Sequence, residues 1–358
     1  MANLYDVDWS DSMQQTYEFY VVDPVTWKDS RKLDLIESCR IERDASADTL
    51  GSASFTCSEV LPECYVRVYL SINQNNYEYK TSLGTFLVQT PGFSFDGKRK
   101  TMTMDGYTPL IELSNDNPPI GYSLLKDENI MNAVYHICGE HMRAPVIKAN
   151  SDKTLASNFI ANLDDTWMSF TDDLIANAQY RMAFDDMSRL VFEVIPEVSS
   201  LNPVWTFNDD NSSILLPSIT NEEDLYNIPN VVEVIYSKDS GYLYSRIENT
   251  DENSKVSIPN RGRIVLHREN NPSFEGTPDQ DYIDSYAKAL LKSLSSISKT
   301  LTYSHGYCPV KLNDCVLLNY KAAGINNVRA QVISQSINCS TGCVVEETAV
   351  YTEALWKG

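Results

Sequence analysis

The feature that most constrains this chain is a repeated period of two, in short runs that each end on a turn signal. In Tyr65-Val66-Arg67-Val68-Tyr69-Leu70, the residues Val66, Val68 and Leu70 share one face while Tyr65, Arg67 and Tyr69 share the other. Residues 17–22 read as a strand entering a turn at Asp23-Pro24, and residues 51–57 alternate small and apolar side chains. Residues 83–89 form another strand, ended by Pro91-Gly92, and Asp96-Gly97 turns the chain into the alternating run 100–104. Many short strands with turns between them argue for a barrel or a sandwich over residues 1–116.

The texture changes at Asn115-Asp116-Asn117-Pro118-Pro119. Residues 117–200 read as a small α+β module of two helices and a hairpin. Asp127 can cap the first helix, whose apolar stripe is Ile130, Val134, Ile137 and His141 and which ends before Pro145. The second starts near Asp164-Asp165-Thr166 and carries Trp167, Phe170, Leu174, Ile175 and Ala178 on one face. Met182 and Phe184 then face Leu190, Phe192 and Val194 across a turn at residues 185–188. Residues 201–276 form a second β region, with strands over 204–207, 231–236 and 242–247. Residues 277–358 open on a long helix, with Thr277 as cap, Pro278 at the first helical position and Gln280 at the third. Its stripe is Tyr282, Tyr286, Ala289, Leu290, Leu294 and Ile297, and three strands (315–318, 330–334, 344–351) close the chain. The class is α+β, predominantly β.

Charge narrows the partners. The chain has 358 residues, with 29 Lys and Arg against 49 Asp and Glu, a net charge of −20. Gripping nucleic acid needs clustered cations, and the densest runs, Lys98-Arg99-Lys100 and Arg261-Gly262-Arg263, are short. No stretch approaches the roughly 20 apolar residues of a membrane helix, and the acidic N-terminus lacks an apolar signal core. The eight cysteines, Cys39, Cys57, Cys64, Cys138, Cys308, Cys315, Cys339 and Cys343, are therefore expected as free thiols in apolar surroundings.

No residue emerges as catalytic, cofactor-binding or metal-ligating. The adjacent acids Asp164-Asp165 and Asp172-Asp173 suit a helix N-terminus, and Asp185-Asp186 suits a turn. Asp209, Asn211 and Ser213 mimic the start of a calcium loop, but Ile214 stands where Gly is required and Thr220 where Glu is required. His136 and Cys138 are two apart on a helix and point away from each other, and Cys339 and Cys343 flank a turn with no second pair to complete a zinc site. Phosphate-binding, dinucleotide, zinc-protease and serine-hydrolase motifs are all missing from the sequence. The 21 tyrosines could suggest sugar binding, but tyrosines that alternate along strands read as ordinary sheet surface.

The order of segments carries a resemblance. Residues 65–69, then Leu83-Gly84-Thr85-Phe86-Leu87-Val88-Gln89-Thr90-Pro91, then Met102-Thr103-Met104-Asp105-Gly106-Tyr107-Thr108-Pro109-Leu110 look like the first domain of phage tail baseplate hub proteins. Residues 167–180 with the following hairpin are similar to the same family. So are Lys311-Leu312-Asn313-Asp314-Cys315-Val316-Leu317, Gly324-Ile325 and residues 332–337. Where relatives often have Gly before that Asp, this chain has Asn313, which accepts a left-handed backbone. The resemblance implies a homotrimer with two tube-like β-barrel domains per chain, adapting a six-fold tail tube to a three-fold tip in the virion after assembly in the host cytoplasm. Its partners would be tube and distal-tail proteins above and tip or spike proteins below, with DNA passing through unbound, no membrane insertion, no cofactor and no enzymatic activity. Some relatives carry a C-terminal peptidoglycan hydrolase; this chain stops at Gly358, directly after its last strand, and is expected to have none.

Overall fold

The computed structural model describes residues 4–34, 36–58, 61–98, 100–195, 201–210, 213–238, 241–274 and 277–358. In chain order, β1 (Gln14–Val22), β2 (Asp29–Leu33), β3 (Ile36–Asp44), β4 (Gly51–Cys57), β5 (Cys64–Gln74), β6 (Tyr77–Phe95) and β7 (Lys100–Tyr107) come first. Next are α1 (Ile111–Ser114), β8 (Ser123–Leu124), α2 (Ile130–His141), β9 (Phe159–Ile160), α3 (Trp167–Asn177), β10 (Tyr180–Phe184) and β11 (Leu190–Val194). Then follow β12 (Trp205–Asn208), β13 (Leu215–Glu222), β14 (Val231–Lys238), β15 (Gly241–Glu248), α4 (Ile258–Arg261), β16 (Leu266–Asn270) and α5 (Gln280–Leu294). The last strands are β17 (Ser296–Gly306), β18 (Cys315–Tyr320), β19 (Ile325–Cys339) and β20 (Val344–Ala354). The α+β, predominantly β class is as expected. The chain forms two compact units, Met1–Ser218 with Tyr303–Thr348, and Ile219–Thr302 with Ala349–Gly358.

The main sheet runs β13-β17-β20-β19-β3-β4-β7-β6-β5-β1-β2, with β18 also on β19 and β12 parallel to β18. This order has two ends, β13 and β2, so the pairings among the described residues make an open sheet without ring closure. One ladder, β3 with β19, joins the N-terminal strands to the C-terminal ones, from Ser334 opposite Asp44 to Cys339 opposite Cys39.

Two glycines of the first strand set have steric reasons. Gly84, at φ +148°, follows a bulge where β5 steps from Val68 opposite Gly84 to Tyr69 opposite Ser82. Gly106 lies where a Cβ would come within 3.0 Å of Phe86 Cβ and 3.3 Å of Phe55 Cε2. One expectation fails here: β6 does not stop at Pro91-Gly92 but continues to Phe95, with a register shift between Val88 and Thr90. Strands β2, β3, β13, β16 and β17 also lie outside the expected set.

Helices α2 and α3 pack on this sheet through a core that includes Ile130, Val134, Ile137, Phe170, Leu174 and Ile175, together with Trp27, Tyr65 and Leu87. Thr166 caps α3 in a reciprocal box with Ser169, within the Asp164-Asp165-Thr166 stretch where the sequence starts the helix. The cap of α2 is Asn129, whose side chain accepts from Asn132 N, and not Asp127, which takes a left-handed φ of 69°. The 182–194 hairpin pairs as expected, Met182 with Phe192 and Phe184 with Leu190.

In the second unit β14 sits between β15 and β16, and α5 covers one face of this sheet. Asp279, not Thr277, caps α5 by accepting from Tyr282 N, and the helix ends at Leu294, leaving Ile297 on β17. Its buried stripe is Ile283, Ala287 and Leu291, facing Val232 and Val234, while Tyr282 is 52% exposed. The stripe turns toward Ile283 because complete burial of Ile or Leu contributes about 1.5–3 kcal/mol, whereas Tyr can leave its hydroxyl in water.

Candidate functional site

Of the acids singled out in the sequence, Asp172 and Asp173 lie in the interior of α3 rather than at its N-terminus, while others shape turns. Asp185 Oδ1 accepts from Met187 N and Arg189 N, both at 2.9 Å, and Oδ2 accepts from Arg189 Nε at 2.6 Å. Asp186 pairs with Lys311. Asp165 Oδ2 accepts from Asn162 N at 2.7 Å, just before the Thr166 cap. Asp209 accepts from Lys321 N at 2.8 Å and Ser213 Oγ from Leu215 N at 3.0 Å, while Asn211 lies outside the described residues. Cys138 is fully buried, and His141 stacks on Trp167 with ring centroids 4.2 Å apart. Among the described residues, no group of three or more His, Cys, Asp or Glu side chains is placed to hold a metal.

Two buried polar groupings escaped the sequence reading. Arg67, in the middle of β5, is fully buried. Its Nη1 donates to Asp29 Oδ1 and its Nε to Thr85 Oγ1, both at 2.8 Å. Nη2 lies 3.4 Å from Trp27 O and 3.3 Å from Met187 O, the latter also taking a 2.8 Å bond from Trp27 Nε1. Thr85 N donates to Ser188 Oγ at 2.7 Å. Arg67 thus ties the turn of the β10–β11 hairpin to β5, β6 and the start of β2. Alternation placed it opposite Val66 and Val68 correctly, but the groups that cover that face, Trp27 and the later hairpin turn among them, lie elsewhere in the sequence.

The second grouping is a row across four neighbouring strands, His305 on β17, Glu347 on β20, Gln335 on β19 and Arg43 on β3. Glu347 accepts from Tyr303 OH at 2.7 Å and from Gln335 Nε2 at 2.6 Å. Arg43 Nη1 donates to Gln335 Oε1 at 2.9 Å, and Gln335 and Arg43 are direct partners in the β3–β19 ladder. His305 Nδ1 is 2.6 Å from Gly306 O, so that nitrogen carries a hydrogen, and Nε2 is 3.3 Å from Glu347 Oε1. The Nε2 contact is not an aligned hydrogen bond. Burial alone would raise the Glu347 carboxyl; His305, Tyr303 and Gln335 outweigh it and hold the group below the usual carboxylate range. The row carries the polar network over the ladder that joins the two strand sets.

A cavity of about 680 Å³ opens beside this row, lined by Arg43, Gly84 and Thr85, hairpin residues 181–186 and residues 309–315. Asn313, in that lining, adopts the left-handed φ of 69° that its position in the sequence called for, and its N–H bonds Val332 O at 2.8 Å. The outward features are different in kind. The tip of the β6–β7 hairpin exposes Phe93 and Phe95, with Lys100 Nζ 4.3 Å from the Phe93 ring centroid. Among the described residues strand β2 pairs only with β1, leaving a polar outer edge of Asp29, Ser30, Arg31 and Lys32.

No protein-family model matches the sequence, and no curated protein matches it either. Solved structures do. A tail protein from Neisseria meningitidis MC58 aligns over 94% of this chain and 96% of its own, with a TM-score of 0.59 at 13% identity. The 43 kDa tail protein of prophage MuSo2 from Shewanella oneidensis aligns over 94% of this chain and 98% of its own, with a TM-score of 0.59 at 11% identity. Nearly the whole chain, strand sets and intervening modules together, has the fold of these phage-type tail proteins.

Proposed function

We propose that the chain is a non-enzymatic structural subunit of a phage-type tail, the hub that joins the tail tube to the tip. The observation that carries this reading is the shared fold with two tail proteins over 94% of the chain. The seam between the two strand sets supports it, because a wall made of two β regions per chain needs a firm joint between them. In this reading residues 1–116 and the strands of 201–358 supply two tube-like walls, and the module at 117–200 packs outside. Three copies close into a ring, as soluble oligomers commonly do. Free strand edges such as β2 and the apolar β6–β7 tip are where neighbouring tail proteins would dock.

The charge has a place in the same reading. Three chains of −20 each surround a channel through which DNA must pass without being held. Cationic walls would release counterions from phosphate and stall the polymer. Acidic walls repel it weakly, over about 8 Å at physiological salt. Lumen-facing residues therefore carry more Asp and Glu than Lys and Arg. Copy number decides the reading: quantitative mass spectrometry of purified tails gives three copies per tail for a hub. Six copies, or a number that grows with tail length, would make it a tube or adaptor protein instead.

A further inference from the structure

We propose that Cys39 and Cys339 are a latent disulfide site, two thiols placed to be joined by a small-molecule disulfide once the chain leaves a reducing compartment. The two residues are direct partners at the end of the β3–β19 ladder. Directly opposed residues in an antiparallel pair point to one face, with Cα atoms roughly 4.5 or 5.5 Å apart depending on the kind of pair. Either spacing lies within the roughly 4.4–6.8 Å that disulfides span. Both thiols are free and buried, 3% exposed at Cys39 and 7% at Cys339. A hydrogen bond between its thiol and Cys39, together with burial, pushes the Cys339 thiol up, so Cys339 stays protonated and unreactive while the ladder is closed.

Access comes from the ladder's end. Cys339 leads directly into the exposed turn Ser340-Thr341-Gly342, and terminal pairs open far more often than a sheet interior. On opening, the Cys339 thiolate attacks one sulfur of the small disulfide and expels a small thiolate. The Cys39 thiolate then attacks Cys339 Sγ and expels the second. One protein disulfide forms, one small disulfide is reduced to two thiols, and the two protein protons end on the leaving groups. The third nearby thiol, Cys343, is fully buried against Tyr17 and pushed up to about 12 by burial.

The consequence follows from topology. The β3–β19 ladder is the pairing through which the two strand sets meet, so this bond would lock the seam covalently and close nearly the whole chain into one loop. Its use on release from a cell rests on the tail reading above, since a particle assembled in reducing cytoplasm then meets an oxidising medium. The bond itself does not rest on that reading.

The test uses the full chain, treated with oxidised glutathione, alkylated and mapped without reduction. The expected result is one Cys39–Cys339 linked peptide, six alkylated cysteines, and a thermal midpoint about 5–15 °C above the reduced protein. The C39S variant should show no linked peptide and no oxidation-dependent rise. Should C39S fail to fold, the wild-type chain measured with and without reductant gives the same comparison. Eight alkylated cysteines after oxidation, or a Cys339–Cys343 link, would overturn the site and leave the tail assignment standing. Linked peptide in released particles but not in freshly made subunits would place the reaction after release. Linkage absent from released particles would refute the proposed use.

Discussion

Replacing Arg67 by Met removes the guanidinium that ties the 185–188 turn to the first sheet while keeping most of the buried stem. Two strong contacts are lost, to Asp29 Oδ1 and Thr85 Oγ1 at 2.8 Å. The contacts to Trp27 O and Met187 O, at 3.4 and 3.3 Å, are weaker, and Met187 O retains its bond from Trp27 Nε1. A hydrogen bond to a charged group is worth about 1.5–3 kcal/mol. The Asp29 side chain is 30% exposed and keeps Tyr69 OH at 2.8 Å, so part of its loss is returned by water. The net expectation is about 3 kcal/mol, the lower end for breaking a buried pair. That corresponds to a midpoint lower by about 6–12 °C for a domain of this size. Urea unfolding followed by tryptophan fluorescence, in which Trp27 reports on the same contacts, measures it. Combining R67M with Asp29→Asn should give a coupling of at least about 1 kcal/mol. A single-variant loss under about 1 kcal/mol, or a strictly additive cycle, would refute the claim that Arg67 fastens the hairpin.

Three further outcomes follow. Glu347→Gln should cost about 3 kcal/mol at neutral pH by replacing the buried carboxylate that accepts from Tyr303 OH and Gln335 Nε2 with a neutral amide. Because the folded carboxyl lies below its ordinary value, its contribution is complete above the usual carboxylate range and fades as pH falls through the folded value. The gap between wild type and E347Q should therefore narrow in acid, and a constant gap down to about pH 2 would contradict an ionised Glu347 in the folded chain. Thr166→Ala removes the oxygen that accepts from Ser169 N at 3.2 Å and should cost about 1 kcal/mol in chemical denaturation, where no change would exclude the cap. Gly106→Ala forces a methyl against Phe86 and Phe55 and should cost about 1–3 kcal/mol, read as a lower midpoint; an unchanged one would mean the rings can move aside.

Much of the architecture was legible where local chemistry and tertiary packing agree. Residues 51–57 alternate, and β4 occupies that same span. Thr166 begins a helix whose stripe Trp167, Phe170, Leu174, Ile175 and Ala178 is buried throughout. The failures have physical causes. Asn129 outcompetes Asp127 as a cap because two more residues of extended chain pair with Lys153 and Leu155 before the helix starts. Strand β3 carries Glu37, Arg40, Glu42 and Arg43 among its few apolar residues, so its pairing is set by β4 and β19 rather than by its own hydrophobic pattern. The row of buried His305, Glu347 and Gln335 with half-buried Arg43 draws on strands far apart in sequence, and no local signal marks four polar residues that become neighbours only when the sheet order is known.

The central claim, a hub that joins a tube to a tip, is tested most directly by electron microscopy of isolated tails carrying this chain. A hub would give a three-fold ring at the distal end of the tube, three copies around an open channel with an acidic wall. Density for this chain repeated along the tube, a six-copy ring, or a channel wall with net positive charge would contradict it.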